Sequence, residues 1–465
     1  KKLTEENQKD FIKKFNLPVN SKKLNNLDYL KFSKNSREYK YLVSQREKLG
    51  GFLPKRVPSK ANLNVENNSH FNEFNDQSKR EMSTTMVFVR LITSLLRDKK
   101  IGKNIVPIVP DEARTFGMDG LFRQFGIYSR EGQKYQPEDA DKVRWYRESD
   151  DGVMLEEGIN EAGAFSAWIA LATSYANNSL PMIPFYIYYS MFGFQRVHDL
   201  AWAAGDARAR GFLLGATSGR TTLNGEGLQH QDGHSHLLAQ TIPNCKSYDP
   251  CFDYELATII KNGIDDMYVQ NNDNYYYLTL MNENYMHPER PKNLKDSQIM
   301  QGAYLFKNEN KADVRLLASG LTLRFAIEAS KKLLDFGIKA NIWSITSFNE
   351  LARGGIITDQ EKMIGTASKS YVESCFETEM PTVAVSEYQK LYAEQIRKWV
   401  NGNYICLGTD GYGRSDTREK LREFFEIDSN HIAYNALIAC GLNKEAKRLK
   451  TKFKLKINKK NPYIR

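Results

Sequence analysis

The sequence predicts an α/β protein with two parallel or mixed sheets and flanking helices. Short apolar segments typical of buried strands alternate with helical patterns from residue 83 to residue 280. The alternation stops at a His-Pro-Glu-Arg-Pro-Lys stretch, residues 287–292, and restarts at residue 314. Strands that alternate with helices form mostly parallel sheets covered on both faces, and the proline-containing interruption is typical of a domain linker.

Three regions follow from this pattern. Residues 1–80 are polar and form an N-terminal connector, with a short helix near residues 10–15 and a loop at residues 64–76. The first α/β domain spans residues 81–286 and the second spans residues 293–465. A chain of 465 residues has room for this division at roughly 100–200 residues per domain.

The first series of elements begins with a helix that Ser83 can cap, because apolar side chains recur at helical spacing from Val87 to Leu96. The series then continues with a strand at 105–109, a helix at 161–175, a strand at 184–189, a helix at 196–207, a strand at 212–214, a helix at 252–268 and a strand at 275–280. The second series consists of a strand at 314–318, a helix at 322–336, strands at 340–345 and 383–385, a helix at 388–400, a strand at 404–407 and two closing helical segments.

Composition excludes several classes of protein. Lys and Arg number 66 against 56 Asp and Glu, which gives a net charge of +10. The lysines concentrate in residues 1–56 and 444–460 without a zinc finger or a basic-aromatic stripe, so we expect no nucleic-acid partner. Five cysteines without metal-ligand spacing, no signal-peptide pattern at the start of the sequence and no apolar run of about 18 residues predict a reduced, cytoplasmic protein with no membrane segment.

An acidic segment at residues 155–164 precedes an alanine-rich helix and contains Glu161. A carboxylate buried at a strand-to-helix junction has a raised pKa and can exchange a proton near neutrality. An acidic first turn that stabilises the helix dipole explains the segment equally simply and is the favoured interpretation of this segment taken alone.

Residues 184–196 carry six aromatic side chains in thirteen positions. Such a wall can stack on a flat heteroaromatic ligand, although plain core packing is the better interpretation of the run by itself. The stretch at residues 215–222 is one residue short of a phosphate loop and has Arg220 where such loops have lysine, so we reject an ATPase.

The glycine-rich run at residues 225–236 holds three of the chain's seven histidines, His230, His234 and His236. They can ligate zinc, which takes three protein ligands and keeps one open position, or they can donate protons and stabilise anions in an active site. The spacing alone does not decide. A second glycine-rich stretch at residues 408–416 follows a strand, and we interpret it as a structural turn with a helix cap at Ser415 or Asp416.

Taken together and in order, these segments resemble one family, the homodimeric bacterial pyruvate dehydrogenase component that depends on thiamin diphosphate and is related to transketolase. The matching segments are residues 111–118, 157–161, 188–196, 217–236 and 408–416. The resemblance covers essentially the whole chain. It implies a thiamin diphosphate-binding pyrimidine domain followed by a transketolase C-terminal-like domain.

The resemblance also implies roles for cofactor-binding residues. Glu161 matches the glutamate that hydrogen-bonds the aminopyrimidine ring of thiamin diphosphate. Ile159 matches the apolar residue over which the bent cofactor folds, and Phe192 matches the ring that stacks on the pyrimidine, with Tyr189 and Arg196 nearby.

Further residues match the substrate side of the family's site. His230 matches the histidine that faces pyruvate and its reaction intermediate, while Asp111, Glu112 and Glu226 resemble polar groups at the substrate entrance. The implied reaction is decarboxylation of pyruvate followed by reductive acetylation of a lipoyl group on a dihydrolipoyl acetyltransferase partner. The resemblance implies a homodimer as well.

Two departures from the family pattern are visible. The family binds Mg²⁺ and the diphosphate through a Gly-Asp-Gly motif that this sequence lacks, so we expect the Mg²⁺ ligands in an N-terminal domain that precedes residue 1, and we expect the chain alone to be inactive. Gln231 stands where the family is expected to carry an acidic residue. The alternatives are a catalytically incomplete dimerisation or assembly element, and a zinc hydrolase built on the three histidines.

Overall fold

The computed structural model describes residues 3–19, 24, 31–52, 63, 69–110, 113–136, 146–366 and 369–457. The chain divides into two compact units, residues 1–58 and residues 59–465. The predicted sites Asp111 and Glu112 lie outside the described residues. Among the residues that are described, no helix is both long and apolar enough to span a bilayer.

The described residues of the first unit include two α-helices, α1 (Glu5–Lys14) and α2 (Arg37–Lys48). The side chain of Thr4 accepts a hydrogen bond from the Asn7 backbone N–H, so α1 begins earlier than the helix predicted near residues 10–15. Neither helix contains a buried residue.

The first sheet of the second unit is parallel throughout, and its order within the described residues is β4-β1-β5-β6-β8-β7. Two further short strands, β2 and β3, pair with each other in parallel. The strands are β1 (Ile105–Val109), β2 (Ile127–Tyr128), β3 (Glu148–Ser149), β4 (Leu155–Glu156), β5 (Ile183–Tyr189), β6 (Phe212–Ala216), β7 (Cys245–Tyr248) and β8 (Tyr275–Thr279). Every residue of β1, β6 and β8 is buried, as expected for a sheet covered on both faces.

Helices surround this sheet, and α4 begins as predicted because the Ser83 side chain accepts from the Met86 backbone N–H. The α-helices are α3 (Ser69–Asn72), α4 (Thr84–Leu96), α5 (Asp119–Phe125), α6 (Glu161–Ala172), α7 (Ser174–Asn177), α8 (Phe194–Asp206), α9 (Ser235–Gln240), α10 (Asp253–Ile264) and α11 (Asp296–Met300). Short 3₁₀ turns at Ser190–Phe192 and Leu228–His230 carry two of the predicted site residues.

The second sheet has the order β13-β12-β10-β11-β9 and is mixed, because β9 runs antiparallel to β11. Its strands are β9 (Tyr304–Lys307), β10 (Val314–Ala318), β11 (Ala340–Ser344), β12 (Thr382–Val385) and β13 (Tyr404–Leu407). Its helices are α12 (Thr322–Leu334), α13 (Phe348–Met363), α14 (Tyr371–Cys375), α15 (Lys390–Glu394), α16 (Arg418–Phe425), α17 (Ser429–Ala439) and α18 (Asn443–Lys452). The α/β fold class predicted from the sequence is confirmed.

Several element predictions were wrong in detail. The helix predicted at residues 388–400 is divided into α15 and a 3₁₀ turn at Arg397–Trp399, and three α-helices rather than two close the described part of the chain. The loop predicted at residues 64–76 contains α3 and a 3₁₀ turn. In the predicted linker, His287 is fully buried and its ring contacts the Met82 carbonyl at 3.0 Å.

A buried polar seam joins the two sheets; we define it by Asp249, Glu255, Thr279, His236 and Glu387. The Asp249 carboxylate accepts from the Thr279 hydroxyl at 2.7 Å and from the Ser319 hydroxyl at 2.9 Å. Glu255 reaches the second sheet by accepting from the hydroxyls of Ser344 and Tyr304, both at 2.6 Å. Polar side chains therefore connect the sheets where an apolar contact would give less directional specificity.

Candidate active site

The predicted site residues stand at the carboxyl ends of three strands of the first sheet. Glu161 begins α6 shortly after β4, and Tyr189 ends β5 immediately before the 3₁₀ turn that carries Phe192. His230 lies in the long connection that follows β6. Ligands of open α/β sheets bind at this edge, because the loops that leave parallel strands converge there.

The Glu161 carboxylate and the Arg196 guanidinium form an ion pair, with 2.6 Å between Oε1 and Nη1. The Glu161 side chain is 13% exposed and the Arg196 side chain is 47% exposed. The Glu161 carboxylate is therefore paired with a cation at the edge of the site. Among the described residues nothing donates to the other Glu161 oxygen, so one acceptor remains available.

The same arginine covers an aromatic ring. The Arg196 guanidinium carbon lies 4.0 Å from the centroid of the Phe192 ring, a cation–π distance. Arg196 thus connects the carboxylate of α6 to the ring that precedes α8. The helix-start interpretation of the acidic segment also holds, since the Asn160 side chain caps α6 by accepting from the Gly163 N–H.

Three rings form a cluster beside this pair. The His230 ring lies 5.0 Å from Phe192 and 5.3 Å from Tyr189, and the Tyr189 and Phe192 centroids are 6.1 Å apart. Phe116 packs edge-on against Tyr189 at 5.5 Å. The structure therefore brings together the histidine and the two aromatic residues that the sequence placed in one site.

The aromatic run of residues 184–196 serves two purposes. Phe185, Tyr186, Tyr188 and Phe194 are buried in the core, as the packing interpretation predicted. The other two aromatics of the run, which contact His230, are only partly buried. The body of β5 thus packs in the core, and the end of the strand and the turn after it carry the site aromatics, Tyr189 and Phe192.

Ile159 is 68% exposed two positions before the start of α6. The chemistry collected here is a carboxylate acceptor, aromatic faces, an exposed apolar side chain and an imidazole.

The other two histidines of the run point into different surroundings. His234 Nε2 lies 3.0 Å from Gln195 Oε1. His236 is fully buried, contacts the Thr279 hydroxyl at 3.0 Å and stacks on Tyr392 at 4.8 Å; burial lowers its pKa to about 3. In the described part of the chain no group of three His, Cys, Asp or Glu side chains is arranged to hold a metal, so the zinc alternative has no support.

The connection that carries His230 packs against residues 408–416, the loop after β13. The Arg220 guanidinium is buried and donates to the carbonyls of Thr409 and Gly411, both at 2.5 Å. The Ser415 hydroxyl donates to the Glu226 carbonyl at 2.6 Å. The expectation that Ser415 or Asp416 caps the following helix was wrong, because Thr417 is the N-cap of α16.

Sequence reasoning missed Arg220 and Gln195 as neighbours of the site. Arg220 meets partners about 190 positions away, and no local pattern encodes such a contact. Gln231, noted in the sequence as a departure from the family pattern, lies beside these contacts. Of the three residues predicted at the substrate entrance, Asp111 and Glu112 lie outside the described residues, and Glu226 is partly exposed.

Comparisons with known proteins identify relatives of the whole chain. The family model of the pyruvate dehydrogenase E1 component middle domain matches residues 64–288, and the model of the transketolase-like C-terminal domain matches residues 302–428. The pyruvate dehydrogenase E1 component of Pseudomonas aeruginosa is 53% identical over 449 residues, which are 94% of this chain and 51% of that protein. The E1 component of Cupriavidus necator is 49% identical, over 99% of this chain and 53% of that protein.

Solved structures show the same fold at much lower identity. The transketolase of Campylobacter jejuni superposes with a TM-score of 0.58 at 17% identity, covering 80% of this chain and 49% of that one. The chain spans about half the length of the E1 relatives named above. On the identity of those relatives and the two domain matches, this chain belongs to the pyruvate dehydrogenase E1 component family.

Proposed function

We propose that this chain provides the middle and C-terminal parts of a thiamin diphosphate-dependent pyruvate dehydrogenase. In this proposal pyruvate loses CO₂, and the remaining two-carbon unit passes as an acetyl group to a lipoyl disulfide, which is reduced as it is acetylated. The observation that supports the proposal best is the cluster of Glu161, Arg196, Phe192 and His230 at the carboxyl ends of the first sheet. The family's E1 relatives supply the substrate class.

The residues present fit thiamin diphosphate chemically. The Glu161 oxygen without a donor can accept from the aminopyrimidine ring, Phe192 and Tyr189 offer aromatic surface, and the exposed Ile159 offers apolar support. The cofactor, when bound, supplies the electron sink that decarboxylation of a 2-oxo acid requires. Arg196 keeps the Glu161 carboxylate oriented by its 2.6 Å ion pair.

His230 is proposed to hold or move a proton at the substrate oxygen. Its ring is confined by Phe192 and Tyr189, so the imidazole is oriented before substrate arrives. Those rings also exclude water from one side of the site, which strengthens polar interactions there. Asp111, Glu112 and Glu226 are proposed as polar groups at the substrate entrance.

The remaining parts of the proposal concern the assembly. Mg²⁺ and the diphosphate would be held by the half of the E1 protein that this chain does not span. We further propose a homodimer, a dihydrolipoyl acetyltransferase partner and a cytoplasmic location, with domain limits at residues 81–286 and 293–465. The two family models that match in order within the chain support those limits.

Complementation tests the proposal. The purified chain should show no thiamin diphosphate-dependent release of CO₂ from pyruvate when Mg²⁺ is supplied. Addition of the complementary half of the Pseudomonas aeruginosa E1 component should restore release, because that relative is 53% identical over the shared part. A matched control adds the same half to a chain with Glu161→Gln.

Two outcomes contradict the proposal. Full activity of the chain alone would show that the site needs no second half. A stable complex of the two halves that binds thiamin diphosphate and Mg²⁺ yet leaves pyruvate unchanged would instead favour the assembly element.

A further inference from the structure

The first compact unit, residues 1–58, carries two helices whose starting points are set by local hydrogen bonds. Thr4 and Asn7 form a capping box at the start of α1, in which each side chain accepts from the backbone N–H of the other residue. The Ser36 side chain caps α2 by accepting from the Tyr39 N–H at 3.1 Å. The sequence of this segment therefore specifies where both helices begin.

Neither of these helices has a buried face. α1 has 10 residues and α2 has 12, and no residue of either helix is buried. Isolated helices of this length are marginal in water, because most of the helical stability in proteins comes from packing an apolar face. Two short and well-capped helices without a buried face should therefore gain stability from a surface that covers them.

Each helix carries a stripe of apolar side chains that such a surface can cover. Side chains spaced three and four positions apart lie on one side of a helix. These stripes, which we call the docking stripes, are formed by Phe11, Ile12 and Phe15 on α1 and by Tyr39, Leu42, Val43 and Leu49 on α2. Phe11, Phe15, Leu42 and Leu49 are each more than half exposed. A row of large exposed apolar side chains, unlike a single one, is typical of an interaction surface.

The E1 relatives indicate what covers the docking stripes. Residues 1–58 precede both domain matches, which begin at residues 64 and 302. The Cupriavidus necator E1 component nevertheless aligns with 99% of this chain, so the segment is shared with a much longer protein. The alignment covers only 53% of that relative. The first unit is thus a part of E1 proteins that belongs to neither matched domain and has its apolar surface uncovered in this chain.

We infer that the docking stripes of α1 and α2 bind the part of the E1 protein that this chain does not span. The occupant is an apolar groove on that complementary half, which receives the two amphipathic helices face down. The identity of the partner rests on the proposed function, in which the complementary half completes the enzyme. The exposure of the stripes does not rest on it, because it is a property of this chain.

Leu42→Asp and Tyr41→Asp form a matched pair of variants. Leu42 is 54% exposed within the α2 stripe, whereas Tyr41 is 68% exposed and lies outside the stripe, about 100° around the helix from Leu42. Both changes place aspartate in the same turn of the same helix, so they lower its helix propensity by a similar amount. Neither side chain is buried, so both variants should fold.

The first measurement is the affinity of the full chain for the complementary half of the Cupriavidus necator E1 component, by surface plasmon resonance. That half lies outside the alignment and carries no counterpart of α1 or α2 that could compete. Leu42→Asp should weaken binding at least about tenfold, because a charge replaces an apolar anchor, and Tyr41→Asp should stay within about twofold of the wild type. Equal affinities of the two variants, or no binding by the wild type, would overturn the inference.

The second measurement is backbone hydrogen exchange in α1 and α2. Exchange should be fast in the chain alone and should slow at least about tenfold when the complementary half is added. Slow exchange in the monomeric chain alone would show that its own residues cover the stripes. Self-association that Leu42→Asp abolishes would assign the stripes to a second copy of the chain. Either of these results would overturn the inference.

Failure of the inference and failure of the proposed function give different results. Release of CO₂ from pyruvate by a complex in which α1 and α2 stay unprotected from exchange would overturn the inference and leave the proposed function intact. Protected helices and weakened binding of Leu42→Asp, in a complex that leaves pyruvate unchanged, would support the docking stripes and contradict the proposed function.

Discussion

His230 and His236 are six residues apart, yet one belongs to the site edge and the other to the seam between the sheets. His230 is partly exposed and faces Phe192 and Tyr189, whereas His236 is fully buried and contacts Thr279 and Tyr392. Both rings leave Nδ1 without a partner among the described residues. A ring nitrogen without a hydrogen-bond partner therefore does not identify a functional site by itself. The side chain must also be accessible to a ligand.

The carboxylates of the two regions differ in the same way. Glu255 in the seam is fully buried, both of its carboxylate oxygens accept hydrogen bonds, and burial raises its pKa. Glu161 at the site edge has an ion pair on one oxygen and an available acceptor on the other. The comparison predicts that seam variants affect folding and that site-edge variants affect catalysis.

The largest effect should come from Glu255→Ala. Its carboxylate accepts from the N–H groups of Cys251 and Phe252 and from two hydroxyls of the second sheet, those of Tyr304 and Ser344. Removing it leaves buried donors unsatisfied, and the free energy of unfolding should fall by about 4 kcal/mol. Urea unfolding of the purified chain measures this.

The control for that experiment is Glu131→Ala, which removes an exposed carboxylate paired with Lys134 and should change the unfolding free energy little. Equal and small losses of unfolding free energy in both variants would contradict the comparison, because the Glu255 carboxylate would then contribute no more to stability than an exposed one.

The next effect is a pair of opposite pH dependences within the seam. Burial lowers the pKa of His236 to about 3 and raises the pKa of Asp249 to about 7. The two are linked by Thr279, whose hydroxyl donates to Asp249 and therefore accepts from His236 Nε2–H. The contribution of His236 to the free energy of unfolding should increase by roughly 3 kcal/mol from pH 4 to pH 7, because only the unfolded state binds a proton at this ring in that range.

The contribution of Asp249 to the free energy of unfolding changes with pH in the opposite direction. The folded state retains the carboxyl proton up to about pH 7 while the unfolded state loses it near its usual pKa, so stability falls by roughly 3 kcal/mol between pH 4 and pH 7. Unfolding free energies of wild type, His236→Gln and Asp249→Asn across this range measure both slopes by difference. Slopes of the same sign would contradict the assignment.

The third-largest effect should come from a change at Glu161 in the candidate site. Glu161→Gln in the reconstituted enzyme should lower kcat about 100-fold, because a positioned proton acceptor becomes an amide. Its unfolding free energy should stay close to wild type, the reverse of Glu255→Ala. Steady-state kinetics and urea unfolding of one preparation test both statements, with Glu148→Gln, a partly exposed acceptor for the Tyr135 hydroxyl, as control. Unchanged turnover would remove Glu161 from the mechanism.

The smallest effect should come from Arg196→Lys. Lysine keeps the positive charge beside Glu161 but loses the planar contact over Phe192, so kcat should fall about three- to tenfold with little change in stability. Arg147→Lys is the control, since Arg147 pairs with Asp151 at an exposed position. A loss as large as that of Glu161→Gln would show that Arg196 does more than orient the carboxylate.

Local sequence signals predicted much of the secondary structure. The strands at 105–109, 314–318 and 404–407 and the cap at Ser83 were confirmed because apolar periodicity and capping act over a few residues. The prediction of one helix at residues 388–400 was wrong because its first residues make tertiary contacts instead. Gln389 donates from its backbone to the Gly233 carbonyl, and Tyr388 binds the Ser218 hydroxyl inside the seam.

The sequence by itself determined the α/β class and most of the strands, and its resemblance to a known family nominated the residues that are proposed for the site. Only the tertiary structure separated His230 from His236 and Glu161 from Glu255. Arg220 contacts residues about 190 positions away, and Asp249 meets Ser319 seventy positions away. Burial and hydrogen-bond partners are set by such contacts rather than by neighbours in sequence, so the chemical role of each side chain is decided when the two sheets pack together.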